Sequence, residues 1–176
     1  SGVAFKYSIV AADGTDHAAF TINAETGELS LNAQPDYETK SSYKVIIKST
    51  DEGGKSYQEK FEITVGNINE DPYFSSFVSD GVIEDSKIEV SGTVEAFDPD
   101  GAKIDYSINS KGVDVALSNG AYSATSAFGT LILNKETGSY TYSLNNSSEA
   151  VQSLSSSDNF SDVFSLTAFD GSKSVS

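Results

Sequence analysis

The sequence predicts an all-β protein made of two tandem modules, and three observations carry that reading. Apolar residues alternate with polar ones wherever a period is clear, turn-forming clusters recur at short intervals, and an acidic stretch closed by proline interrupts the pattern near the middle. Taken in order, Tyr43, Val45 and Ile47 alternate with Lys44, Ile46 and Lys48, and Phe61, Ile63 and Val65 alternate with Glu62 and Thr64. Leu131 and Leu133, then Tyr140, Tyr142 and Leu144, then Phe164, Leu166 and Ala168 repeat the rule. A period of two puts one side of each strand on a core, as in a sandwich or barrel of antiparallel strands. Gly and Asp fall between these runs, around residues 13–14, 26–27, 51–54, 98–101, 137–138 and 170–171. There they supply positive φ and side-chain-to-backbone bonds. Residues 147–154 predict the one helical turn or two, with a serine N-cap and Ala150, Val151 and Leu154 facing inward. The boundary falls in 67–74, where a strand ending at Val65 runs into Asn69, Glu70, Asp71 and Pro72; proline cannot donate to a ladder and ends the strand. The expected modules are 1–72 and 73–176.

Composition narrows the function. The 176 residues carry a formal charge of −15, with 11 cationic residues, all lysine, against 26 acids, and a pI near 4.2. Such a chain repels a polyphosphate backbone or an anionic bilayer, so nucleic acid and membrane surfaces are excluded as partners. No apolar run reaches the ~18–20 residues that span a bilayer, and no targeting segment is expected. Cysteine is absent, which removes disulfides, thiol nucleophiles and thiolate metal sites. The single histidine, His17, has no second imidazole to share a metal or complete a triad. No serine-hydrolase elbow, P-loop or paired-histidine zinc motif occurs, and an enzyme is not expected. Paired carboxylates would serve glycoside hydrolysis only if one sat in an apolar setting, and these lie in turn sequences. A serine-rich stretch at 154–162 reads as a polar loop, and Asn145, Asn146 and Asn159 each begin an Asn-X-Ser pattern.

The acids cluster. Residues 1–72 hold 6 lysines against 12 acids and residues 73–176 hold 5 against 14, so two like-charged modules meet at a linker that is itself acidic. They would be pushed apart there unless a cation intervened. Calcium takes six to eight oxygens from carboxylates, amides and carbonyls, so acids at turns are its signature. Asp36 and Glu38 are spaced by two and would project to one side of an extended segment; Asn69, Glu70 and Asp71 form the linker. Asp98 and Asp100 are again spaced by two before a turn glycine, and Asp170 stands alone near the far end. Each cluster by itself is equally a set of solvated turn acids, and none has the twelve-residue EF-hand pattern.

These motifs carry a family resemblance. The order Tyr-Ser-Ile (7–9), Phe20-Thr-Ile into a Thr-Gly turn, Asp36-Tyr-Glu38, a strand from Tyr43 into Asp51-Glu-Gly-Gly, and a last strand from Phe61 into 67–72 resembles the later part of a cadherin repeat. Residues 80–176 resemble a VCBS-type repeat of bacterial surface proteins. The carriers are 81–85, 91–108, the hairpin 128–146 and 163–171. The resemblance implies immunoglobulin-like, cadherin-like Greek-key β-sandwiches strung end to end, with Ca2+ at each junction. It places Asp36, Glu38, Asn69, Glu70, Asp71, Asp98, Asp100 and Asp170 around one junction, and Asp51 and Glu84 at the junctions before and after. It also implies that the first module lacks its opening strands and the second its last one. Unpaired edges invite strand addition, so strand exchange between two copies is an expected mode of association.

The function implied is that of calcium-dependent extender repeats in a secreted bacterial cell-surface adhesin, stiffened for cell adhesion or biofilm formation. Their partners would be neighbouring repeats of the same polypeptide. The alternative is a calcium-dependent carbohydrate-binding module that recognises a glycan or cell-surface ligand, with Tyr122, Tyr140 and Tyr142 stacking on sugar. Exposure of those rings discriminates the two.

Overall fold

The computed structural model describes residues 4–76, 81–155 and 160–176; Asn159, one of the Asn-X-Ser positions, lies outside them. The chain divides into two compact units, Ser1–Asn69 and Glu70–Ser176, and nearly all regular structure in both is strand.

The first unit contains β1 (Phe5–Ile9), a 3-10 turn at His17–Ala19, β2 (Phe20–Ile22), β3 (Leu29–Leu31), β4 (Ser42–Asp51) and β5 (Ser56–Thr64). β1, β4 and β5 form an antiparallel sheet in the order β1-β4-β5, and β2 pairs with β3 as a hairpin. The layers meet where Phe20 packs edge-on against Tyr43, ring centroids 5.7 Å apart, over a fully buried Val45. Phe61 and Ile63 alternate as expected, yet Phe61 is 44% exposed, on a strand at the edge of its sheet.

The second unit contains β6 (Tyr73–Ser76), β7 (Glu89–Thr93), β8 (Glu95–Phe97), β9 (Asp105–Ile108), β10 (Asp114–Ser118), β11 (Ala121–Thr125), β12 (Gly129–Asn134), β13 (Ser139–Leu144), α1 (Glu149–Gln152), β14 (Leu166–Phe169) and β15 (Ser174–Val175). One sheet runs β10-β11-β12-β13-β7, a second β15-β14-β9, and β6 pairs with β8. Val94, Ile104, Tyr106, Ile108, Ala124, Leu131, Leu133 and Ala168 form the core between them. The buried Tyr106 hydroxyl accepts from the Ala96 N–H at 3.0 Å, which satisfies a polar group that would otherwise be costly there. The helical turn forms inside 147–154: Ser148 caps it by accepting from the Val151 N–H at 3.2 Å, and Val151 is fully buried. β10 and β11 join through Asn119 and Gly120, both at positive φ, the Asn-Gly signature of a two-residue hairpin.

The two units repeat one substructure. In the first, the Tyr7 N–H donates to the Ala24 carbonyl and the Gly27 N–H to that of Asn23, while Asn23 Oδ1 accepts from the N–H groups of Glu25 and Thr26. In the second, the Tyr106 N–H donates to Lys135, the Gly138 N–H to Asn134, and Asn134 Oδ1 accepts from Glu136 and Thr137. Each Tyr-Ser-Ile strand thus packs beneath the glycine of an Asn-X-Glu-Thr-Gly turn. The register continues the parallel, with Tyr7 opposite Ser49 and Tyr106 opposite Ala168, each two residues before an acid, Asp51 or Asp170, that opens the next turn.

Candidate metal centre

In the first unit, Asp36 and Glu38 do not lie on an extended segment. Residues 37–39 form a turn in which the Lys40 N–H donates to the Asp36 carbonyl at 2.9 Å. Asp36 Oδ1 accepts from the Thr39 N–H at 3.1 Å and Oδ2 from the Thr39 hydroxyl at 2.9 Å. An aspartate that can bond the backbone three residues on favours such a turn over a strand, so strand alternation does not align these two carboxylates. Glu38 is exposed. The Thr39 N–H, and after it the Thr39 hydroxyl, hold the Asp36 carboxyl below its usual range.

A carboxyl whose pKa is depressed by folding adds stability above its unfolded pKa and loses it as pH falls through the folded value. An NMR titration of the Asp36 side chain is therefore expected to give a midpoint below 3.8, and Asp36→Asn should flatten the acid limb of the stability curve. A midpoint at or above the ordinary value would mean the turn is not formed in solution.

β4 and β5 sort the remaining acids of this unit. Asp36 and Glu38 precede the start of β4, the end at which β5 finishes before Asn69, the unit's last residue. Asp51 sits at the opposite end of β4, ten residues long, which at ~3.3 Å per residue is about 30 Å away. There Asp51 Oδ1 accepts from the Lys55 N–H at 2.8 Å and closes the β4–β5 turn.

In the second unit, three segments converge at one end. Tyr73 pairs with Phe97, so the residues before β6 lie beside those after β8. The Glu70 N–H donates to Asp100 Oδ2 at 2.9 Å, and a carboxylate oxygen of Glu70 lies within 4.8 Å of one from Asp100. Asp98 is held by the turn it opens: Oδ1 accepts from the Ala102 N–H at 3.1 Å and its carbonyl from the Gly101 N–H at 3.0 Å. Asp98 Oδ2 is buried and has no hydrogen-bond partner.

The third segment follows β14. Phe169 pairs with Asp105, which brings Asp170 to the same end, where its Oδ1 accepts from the N–H groups of Ser172 and Lys173. Lys173 then reaches Asp71, Nζ to Oδ1 3.0 Å. Sequence reasoning passed over Lys173, whose charge is opposite to the pattern sought. Its N–H bonds Asp170 three residues back, as the Lys55 N–H bonds Asp51 four residues back, so a lysine shortly after each turn acid was the signal at hand. Glu84 is exposed in the turn 84–86, before β7, and so at the opposite end from Asp98, which follows β8. Beside it Asp85, at φ 58°, is clamped by Asn146, whose Nδ2 donates to Asp85 Oδ1 at 2.6 Å while its Oδ1 accepts from the Asp85 N–H at 3.1 Å.

The donor set fits a hard cation. Calcium prefers carboxylate and carbonyl oxygen, and a buried carboxylate oxygen without a partner is destabilising until something positive meets it. Away from this cluster, the Asp16, Glu25 and Asp105 carboxyls are, like Asp36, held below their usual range, by the Lys44 N–H, Lys6 and Lys135 respectively. Sugar stacking loses its basis, since Tyr122, Tyr140 and Tyr142 are partly buried and pack against the core. The Tyr142 hydroxyl donates to Asp162 Oδ2 at 2.9 Å. Among the described residues no helix is long and apolar enough to cross a membrane.

Residues 3–66 match the family model of the Cadherin domain. Over 119 residues the chain is 28% identical to the Protocadherin-like wing polarity protein stan of Drosophila melanogaster, a match covering 63% of this chain and 3% of that protein. Over 111 residues it is 31% identical to Protocadherin Fat 1 of Homo sapiens, covering 58% and 2%. The crystal structure of Drosophila N-cadherin EC1-4 superposes with a TM-score of 0.55 at 20% identity, over 98% of this chain and 39% of that one. That likeness shows the fold, a β-sandwich architecture. The chain spans only a few per cent of the curated relatives named here, and the family match is confined to residues 3–66.

Proposed function

We propose that this chain is a pair of calcium-dependent extracellular adhesion repeats, in which Ca2+ at the junction of the two modules stiffens the rod. The buried, unpartnered Asp98 Oδ2, two residues before the Asp100 carboxylate that the Glu70 N–H contacts, carries the proposal. Calcium would supply the positive charge that these carboxylates need when brought together. The chain does the rest. Gly101 and Ala102 hold Asp98 in its turn, the Glu70 N–H orients Asp100, and Lys173 neutralises Asp71. Asp170 adds a carboxylate at the same end of the second unit, and the resemblance adds Asp36, Glu38 and Asn69 from the first, with Asp51 and Glu84 serving the outer junctions.

The finer reading is a cadherin-like module (1–72) followed by a VCBS-type module (73–176) of a secreted bacterial surface adhesin acting in cell adhesion or biofilm formation. The order of motifs over 80–176 supports it. The open edge of β5 supports strand exchange between copies. No reaction is proposed.

The test is a calcium titration followed by thermal unfolding and small-angle scattering. Extracellular sites of this kind bind at roughly 10⁻⁴–10⁻³ M, so 10 mM calcium should raise the melting temperature of the parent chain and lengthen the particle. Asp98→Asn should abolish both responses and, without calcium, be at least as stable as the parent, since it removes a buried charge. No response up to ~10 mM would make these acids a solvated surface and sink the proposal.

A further inference from the structure

The turn between β13 and α1 holds two glycan-acceptor patterns that overlap in sequence and differ in structure. Asn145-Asn146-Ser147 and Asn146-Ser147-Ser148 both satisfy Asn-X-Ser, and the pattern alone does not rank them. Their surroundings do. The main chain of Asn145 is fixed, its N–H donating to the Phe128 carbonyl at 2.7 Å and its carbonyl accepting from the Ser148 N–H at 2.9 Å. Its side chain is exposed, and the Ser147 hydroxyl, two residues on, donates to Asn145 Oδ1 at 3.0 Å. The amide and the hydroxyl that the pattern requires are thus held together at the surface, and no described residue bonds Asn145 Nδ2.

Asn146 is half-buried and its amide is engaged at both atoms. Nδ2 donates to Asp85 Oδ1 at 2.6 Å, and Oδ1 accepts from the Asp85 N–H at 3.1 Å. Its carbonyl accepts from Gln152 Nε2 at 2.7 Å, which fastens the same residue to α1. The hydroxyl its pattern requires, that of Ser148, accepts from the Val151 N–H as the cap of α1. Reaction at Asn146 Nδ2 must first break a bond to a carboxylate, and such charge-assisted bonds are the stronger kind.

We propose that Asn145 is a glycosylation site of the folded chain and that Asn146 is not. Both patterns are Asn-X-Ser, so the selection falls to a transferase that meets the folded protein, with a hexose carried on a nucleoside diphosphate as donor. Asn145 Nδ2 attacks the anomeric carbon of the hexose. The new C–N bond replaces the C–O bond to the diphosphate, which leaves with the bonding pair, and the amide proton passes to a base of the transferase. The sugar is a bulky, solubilising group on an exposed turn. The inference goes beyond the cation reading and is independent of it, because Asn146 holds Asp85, in the turn before β7, at the end of the unit opposite Asp98.

The test incubates the purified, folded chain with a nucleoside-diphosphate hexose and a soluble Asn-X-Ser transferase already shown to be active on a short acceptor peptide. Peptide mass mapping locates the sugar. Asn145 should carry at least about tenfold more hexose than Asn146, the factor expected when one bond to a charged group must break first. A pair of variants tests the cause. Asn145→Gln removes the favoured acceptor, and adding Asp85→Gly removes the clamp, since glycine accepts the φ of 58° that Asp85 adopts. Asn146 should then take up at least about tenfold more hexose in the double variant than in Asn145→Gln alone. No transfer to Asn145, equal transfer to the two asparagines, or no gain from Asp85→Gly would overturn the proposal.

Discussion

Gly138→Ala is expected to unfold the second unit. Gly138 sits at φ +68°, where an added Cβ would overlap the Val94 carbonyl oxygen and press on the Tyr106 ring at 3.1 Å. Neither neighbour can retreat: the Val94 N–H donates to the Gly138 carbonyl at 3.0 Å, and Tyr106 is buried in the core. The left-handed conformation alone costs a non-glycine residue ~1–2 kcal/mol, and backbone overlap should carry the total to about 4 kcal/mol or more, a loss few single substitutions reach. Gly120→Ala is the comparison, since its φ is +77° with nothing within 4 Å of the added carbon, so it should pay the conformational cost alone. Urea unfolding of the three proteins separates the terms. Similar midpoints for the two variants would mean that the Asn134–Gly138 turn does not press against β9 as described.

Leu133→Ala should produce the next largest loss. Leu133 is fully buried, paired with Tyr122 on one side and Tyr140 on the other, so truncation leaves a cavity that its neighbours cannot collapse into. Such changes cost ~2–5 kcal/mol. Ile132, one residue earlier, is 48% exposed on the opposite face, and Ile132→Ala should cost well under ~2 kcal/mol. Thermal unfolding of both reports directly on register. If the two variants lost equal stability, β12 would not present alternate residues to core and solvent.

Both substitutions probe features of the second unit alone, and the sequence foreshadows them unequally. The Leu131–Leu133 alternation is legible as a strand, and the Asn-X-Glu-Thr-Gly stretch as a turn, because each depends on residues within a few positions of one another. That the glycine of that turn packs on Tyr106, 32 positions earlier by number, depends on register across two strands, and no local pattern carries it. The same contrast applies to the acids. Their grouping into turns is visible in the chain, as is calcium as the cation such oxygens suit.

Four matters belong to the sequence by itself: the all-β class, the acidic character, the turn positions, and the helical turn capped by Ser148. Periodicity, charge and capping chemistry are short-range, so composition and spacing are enough to set them. Tertiary structure decided the rest. Asp100 came to lie against Glu70 because β6 pairs with β8. Lys173 entered the acidic cluster because β14 brings its turn to Asp71. Both require segments distant in the chain to meet in one register, Tyr73 with Phe97 and Asp71 with Lys173, and the hydrogen bonds that fix such a register exist only once the sheets have formed.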